Sequence, residues 1–135
     1  FWDVLEVAQR PFAASHSNAR AVCGHPRNLT DDQFRALAER GGIVGLNFCQ
    51  RFLSDAGPVT RDDVLRHVDH MLELGGERVV ALGSDYDGCD VPEWLEPAEQ
   101  VGTLYDLFAA EFGVEIAEAI CFENACSFFE RNETV

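Results

Sequence analysis

The sequence predicts a parallel α/β protein. Three short, almost wholly apolar runs, at residues 12–15, 43–48 and 79–82, alternate with segments of helical apolar spacing. Polar residues follow each run at once, and the run ends fall near His16, Asn47 and Asp85. Those ends are 31 and 38 residues apart, which are the lengths of β-α-β units. In α/β barrels and in open α/β sheets alike, the C-terminal edge of the strands carries the chemistry. Three strands cannot close a barrel, which takes eight strands and roughly 250 residues. The pattern therefore leaves two readings open: a small open α/β domain, or three units of a larger barrel.

Each element has a local reason. Residues 1–10 read as the end of a helix with Leu5 and Val7 on its apolar side, stopped by Pro11. The first strand ends in the polar string Ser15-His16-Ser17-Asn18. Thr30-Asp31-Asp32-Gln33 is a capping box, in which the Thr30 hydroxyl accepts from the Gln33 N–H and Gln33 reaches back. Phe34, Leu37 and Ala38 give that helix its apolar stripe, and Gly41-Gly42 ends it. Residues 43–48 are nearly all apolar, as in a strand buried on both faces. Thr60 opens the next helix, with Asp62 and Asp63 near the positive end of its dipole. Val64, Val68, Met71 and Leu72 form its buried side, and Gly75-Gly76 closes it. The third strand runs into Gly83-Ser84-Asp85-Tyr86-Asp87-Gly88, followed by a loop with Pro92 and Pro97. Residues 103–131 read as two helices broken near Gly113.

Composition narrows the function classes. The hydrophobic content of 47% in 135 residues supports one domain, residues 1–135, with a real core. A net charge of −14 repels phosphate backbones and argues against nucleic-acid binding. No run approaches the roughly 20 apolar residues of a membrane span, and no signal-peptide pattern is present. The chain begins at Phe1 inside a helical pattern, which reads as a truncated or processed N-terminus. Five scattered cysteines without a C-x-x-C pair point to reduced thiols and a cytoplasmic protein.

Several residues could carry chemistry. His16, at a strand end between two serines, can bind a metal through one ring nitrogen or be a hydrogen-bonded structural histidine. Asp85 and Asp87 would share a face of an extended segment. Such a pair suits acid–base work or metal ligation, and equally a turn at a strand end. Gly88 follows Asp87 directly and a strand precedes, so the loop is not an EF-hand. Arg27, in the turn-like Gly24-His25-Pro26-Arg27-Asn28, can clamp a carboxylate or lie in solvent. His67 and His70 share a helix face without the H-E-x-x-H pattern and read as structural, and Cys49 as a core or rim thiol.

Taken as strings, these segments say more. Ser15-His16-Ser17-Asn18-Ala19-Arg20, His25-Pro26-Arg27-Asn28 and the Thr30 capping box resemble one continuous block of the renal (membrane) dipeptidase family, peptidase family M19. Gly41 to Phe48, His67-Val68-Asp69-His70 with Gly83 to Gly88, and Phe122-Glu123-Asn124-Ala125 with Phe128-Phe129 resemble its later strands and C-terminal helix. The resemblance implies the C-terminal three β/α units of a metal-dependent-hydrolase TIM (β/α)8 barrel, incomplete in this chain. It also implies two bridged zinc ions and a dipeptide substrate. On matching positions, His16 resembles a ligand of the second zinc and Arg27 the arginine that binds the substrate carboxylate. Asp85 resembles the carboxylate that serves the reacting water and leaving amine. Asp87 and His70 also match family positions, and packing roles are expected for them.

The family's other metal ligands belong to its upstream half. One ligand cannot hold a catalytic zinc, which takes about three protein ligands. The chain is therefore expected to need the missing N-terminal half of the barrel, or a second chain, for activity. Two other readings stand beside this one. One is a different amidohydrolase-type hydrolase acting on an amide or lactone. The other is a non-catalytic half-barrel whose exposed sheet edges favour a partner or a homodimer.

Overall fold

Three parallel strands, β1 (Ala13–Ala14), β2 (Ile43–Asn47) and β3 (Val80–Ser84), lie side by side with β2 in the centre. The computed structural model describes residues 1–133, so the last two residues of the expected domain lie outside it. β2 is buried at every position, the polar Asn47 at its end included, in keeping with its largely apolar run. β1 is two residues shorter than expected, and β3 begins and ends later.

Between the strands run α2 (Asp31–Glu39) and α4 (Arg61–Glu73). Both start at the threonines that the sequence marks, and both are full capping boxes. At α2 the Gln33 N–H donates to Thr30 Oγ1 at 3.2 Å, and the Thr30 N–H donates to Gln33 Oε1 at 3.0 Å. Asp63 plays the reciprocal part at Thr60. Burial pushes the Asp63 carboxyl up, but hydrogen bonds from Thr60 and Arg66 outweigh it and hold the group below its usual range.

The two faces of the sheet are packed differently. Val44, Leu46 and Val80 enter the main core with Phe34 and Leu37 of α2 and Val64, Val68 and Met71 of α4. Leu104 and Phe108 of α5 (Gly102–Phe112) complete it. Alternate strand residues point the other way. There Ile43 and Ala81 meet Phe128 of the C-terminal helix. One position along the same face, a methyl on Gly45 or Gly83 would overlap the Ser15 carbonyl oxygen. Glycine is needed at both because the chain leaving β1 crosses there.

Some elements differ from expectation. α1 (Trp2–Val7) stops before Pro11, and Val7 is 70% exposed rather than inward. The segment docks through Phe1, whose ring lies 6.0 Å from that of Phe12. A short helix α3 (Gln50–Leu53) follows β2, with no side-chain cap to announce it. Beyond Gly113, α6 (Val114–Glu118) passes through a π-turn at Ala119–Glu123 into α7 (Asn124–Asn132). The Asn124 amide there donates to the carbonyls of Glu77 and Val80, both at 2.8 Å, tying α7 to β3. All five cysteines are free thiols. No helix among the described residues is long and apolar enough to cross a membrane.

Candidate active site

The ends of the three strands bring His16, Arg27 and Asp85 to one edge of the sheet. His16 follows β1 and Asp85 follows β3, with Asn47 of β2 between them. The His16 ring is held from both sides. Its Nδ1 lies 2.7 Å from Ser15 Oγ, and its Nε2 lies 3.2 Å from a terminal nitrogen of Arg27. A guanidinium can only donate, so Nε2 carries the lone pair and Nδ1 the proton. The lone pair that a metal would use therefore points out of the sheet toward Arg27.

Arg27 is exposed, yet its loop is tied down. Arg20 reaches both carbonyls that flank Arg27, donating from Nε to Asn28 at 2.9 Å and from a terminal nitrogen to Pro26 at 2.5 Å. Asp55 accepts from the Gly24 N–H at 2.9 Å and from the Cys23 thiol. The Gly24 hydrogen bond, with that of Cys23, holds the Asp55 carboxyl below its usual range. The buried Asn28 amide donates to the carbonyls of Cys23 and Phe52, both at 2.9 Å.

Asp85 is not in extended backbone; of the two readings of the Asp85–Asp87 pair, the structure has the turn at the strand end. Ser84, Asp85 and Asp87 all have positive φ, of 52°, 75° and 66°. The turn that results separates the two carboxylates, leaving Asp85 half-buried and Asp87 exposed. Three left-handed residues without a glycine among them mark stored strain, of a kind that clusters at functional sites. A register irregularity opposite Leu46/Asn47 aims this loop over the strand ends. Asn47 Nδ2 donates to Asp85 Oδ2 at 3.1 Å. On the other side, a methyl on Gly88 would overlap Asp85 Oδ1.

His67 and His70 do not join this edge. His67 is fully buried; Nδ1 accepts from the Ala19 N–H at 3.1 Å and Nε2 donates to the Leu53 carbonyl at 3.0 Å. Burial drives its pKa down to about 4, so the ring is neutral. His70 contacts Asp31 at the start of α2 at 2.8 Å. Cys49 is buried. Burial and the adjacent Cys49 thiol push the Cys89 thiol up to about 12, so it stays protonated at neutral pH.

Two asparagines that the sequence did not single out as site residues organise the edge. The Asn18 side chain accepts from the Asn47 N–H and donates to the Asn47 carbonyl, both at 2.9 Å. It thus stands in for a peptide group of a neighbouring strand. Asn47 then spans toward His16 and Asp85. A polar residue closing an unbroken apolar run was the one sequence signal available. An open cleft of about 490 Å³ lies beside the Asp85 loop, lined by Gln50, Tyr86, Cys89, Val91 and the acids Asp87, Asp90, Glu93 and Glu96. None of His16, Arg27 and Asp85 lines it. Those three sit on an open ledge.

The chain as a whole resembles proteins of known family. The family model for membrane dipeptidases, peptidase family M19, matches residues 1–135. The chain belongs to the membrane dipeptidase family. A metallo peptidase from Rhodobacter sphaeroides, solved with a phosphinate mimic of the dipeptide L-Ala-D-Ala, superposes with a TM-score of 0.89 at 34% identity. That match covers 97% of this chain and 39% of the other. A second M19 peptidase, dipeptidase AC, gives 0.88 at 35% identity, over 96% of this chain and 40% of its own. A protein encoded in the pqqA 5′ region of Klebsiella pneumoniae is 46% identical over 99 residues, which are 70% of this chain and 36% of that protein. These 135 residues thus span little more than a third of the length of such relatives.

Proposed function

We propose that this chain is the C-terminal part of a zinc-dependent dipeptidase barrel. In this reading its three β/α units supply His16 as one metal ligand, Arg27 as the substrate clamp and Asp85 as the catalytic carboxylate. The single observation that carries it is the meeting of these three at one strand edge, with His16 Nε2 and Arg27 3.2 Å apart. Among the described residues no group of three or more His, Cys, Asp and Glu side chains could hold a metal. The chain fits one corner of such a site, and the remaining ligands would come from outside it.

Bound zinc would lower the pKa of a water and polarise the scissile carbonyl. The rest follows from this chain. The Nε2 lone pair of His16 serves one partner at a time, so Arg27 is free to turn its fork to the substrate's terminal carboxylate in the loaded enzyme. Fixed on a braced loop, Arg27 measures the distance from that carboxylate to the reacting bond and so favours dipeptides. Asp85, held at the strand end, orients the water and passes its proton to the leaving amine.

Kinetics of the complete enzyme test the assignment. Arg27→Ala is expected to raise KM for dipeptides about 10- to 100-fold, with a smaller effect on turnover. Asp85→Asn is expected to lower kcat about 10²- to 10⁴-fold with KM little changed. A substrate panel that includes L-Ala-D-Ala and a dipeptide amide adds a check. Equal hydrolysis of acid and amide would remove Arg27 from the clamp role.

A further inference from the structure

We infer that Asn47 is the positioning residue for the catalytic carboxylate. This rests on the reading of Asp85 given above. Asn47 is fully buried at the end of the central strand. The direction of its amide is fixed by chemistry. Its Oδ1 accepts from the Cys49 N–H at 2.7 Å, which demands an oxygen on that side. Its Nδ2 faces two acceptors, the His16 carbonyl at 3.3 Å and Asp85 Oδ2 at 3.1 Å. One amide therefore joins the backbone of the metal-ligand candidate to the side chain of the acid–base candidate.

The Asn47 backbone is itself clamped by the Asn18 amide. Asn47 thus transmits the rigid position of β2 to a loop whose own conformation is strained. On the far side the Asp85 carboxylate lies close against Gly88, where any side chain would collide with Oδ1. Asn47 is itself out of reach of substrate, being fully buried, so its effect passes through the hydrogen bond to Asp85.

The test is a double-mutant cycle in the complete, zinc-loaded enzyme. Asn47→Leu is expected to lower kcat about 10- to 100-fold, the worth of a hydrogen bond to a charged group, with KM within about threefold. Zinc content should match wild type. In an Asp85→Asn background the same change should cost less than about threefold, because the group it positions is already gone. Asn47→Asp keeps the volume and the acceptor for Cys49 but sets a carboxylate against Asp85. It should lower kcat at least as much and serves if the leucine variant does not fold. Equal losses in both backgrounds, or loss of zinc, would overturn the role. An impaired Asp85→Asn beside an unimpaired Asn47→Leu overturns Asn47 alone. Full turnover in Asp85→Asn overturns the reading of Asp85 and this role with it.

Discussion

The two faces of the sheet follow opposite designs. The face toward α2, α4 and α5 is a finished hydrophobic core, with Leu37, Val44, Leu46, Val68, Leu104 and Phe108 all fully buried. The other face carries Phe128 at one end, two glycines in the middle and the polar ledge of His16, Asn47 and Asp85 at the other. The first face explains why the chain folds as it does. The second carries the residues of the proposed site, which on that reading is completed from outside this chain. Stability and function are thus separated across a single layer of backbone.

That separation can be broken in order of expected effect. Phe108→Ala removes a fully buried aromatic from the helix-side core and should cost about 3–5 kcal/mol in denaturant unfolding. The complete enzyme should keep its kcat per folded molecule. A small cost would mean that this core does not stand on its own.

Acid is next. His67 is neutral in the fold with a pKa of about 4, against about 6.5 when unfolded. Between these values the unfolded chain binds the extra proton, so stability falls as pH drops from about 6.5 to about 4 and then levels off. The loss should approach about 3 kcal/mol, read as a pH-dependent melting temperature. His67→Gln should flatten that dependence while lowering stability at pH 7. A wild-type curve flat across this window would remove His67 from the account.

Gly45→Ala acts on the other face. The added methyl meets the Ser15 carbonyl and the Gly83 backbone, so β1 and β3 must move apart. About 1–3 kcal/mol of destabilisation is expected, with a disproportionate loss of activity because His16 and Asp85 ride on those strands. Thr30→Ala should be the mildest, about 1 kcal/mol by thermal melting, with kinetics unchanged.

Much of the finished face was legible in the sequence. Thr30 and Thr60 announce their helices through side chains that cap locally, and the apolar runs give β2 and β3. His16 and Asp85 were legible as polar residues after strands and Arg27 as a loop arginine, and the family strings gave all three expected roles. A turn at Asp85–Asp87 was one of two open readings, but its left-handed backbone was not legible, because no glycine marks Ser84, Asp85 or Asp87. Helix α3 has no capping side chain to read. The Asn18–Asn47–Asp85 chain was hidden for a further reason. It joins residues 29 and 38 positions apart, and only the sheet register brings them together.

The central claim is that this chain holds one corner of a metal site whose other corners lie elsewhere. The most direct test measures bound zinc and dipeptide hydrolysis for the 135-residue chain alone and for the same chain joined to the upstream half of its barrel. The account predicts no catalytic zinc and no turnover for the chain alone, and both properties in the joined protein, with zinc lost on His16→Ala. Stoichiometric zinc and hydrolysis from the chain alone, or a joined protein that hydrolyses dipeptides without metal, would contradict it.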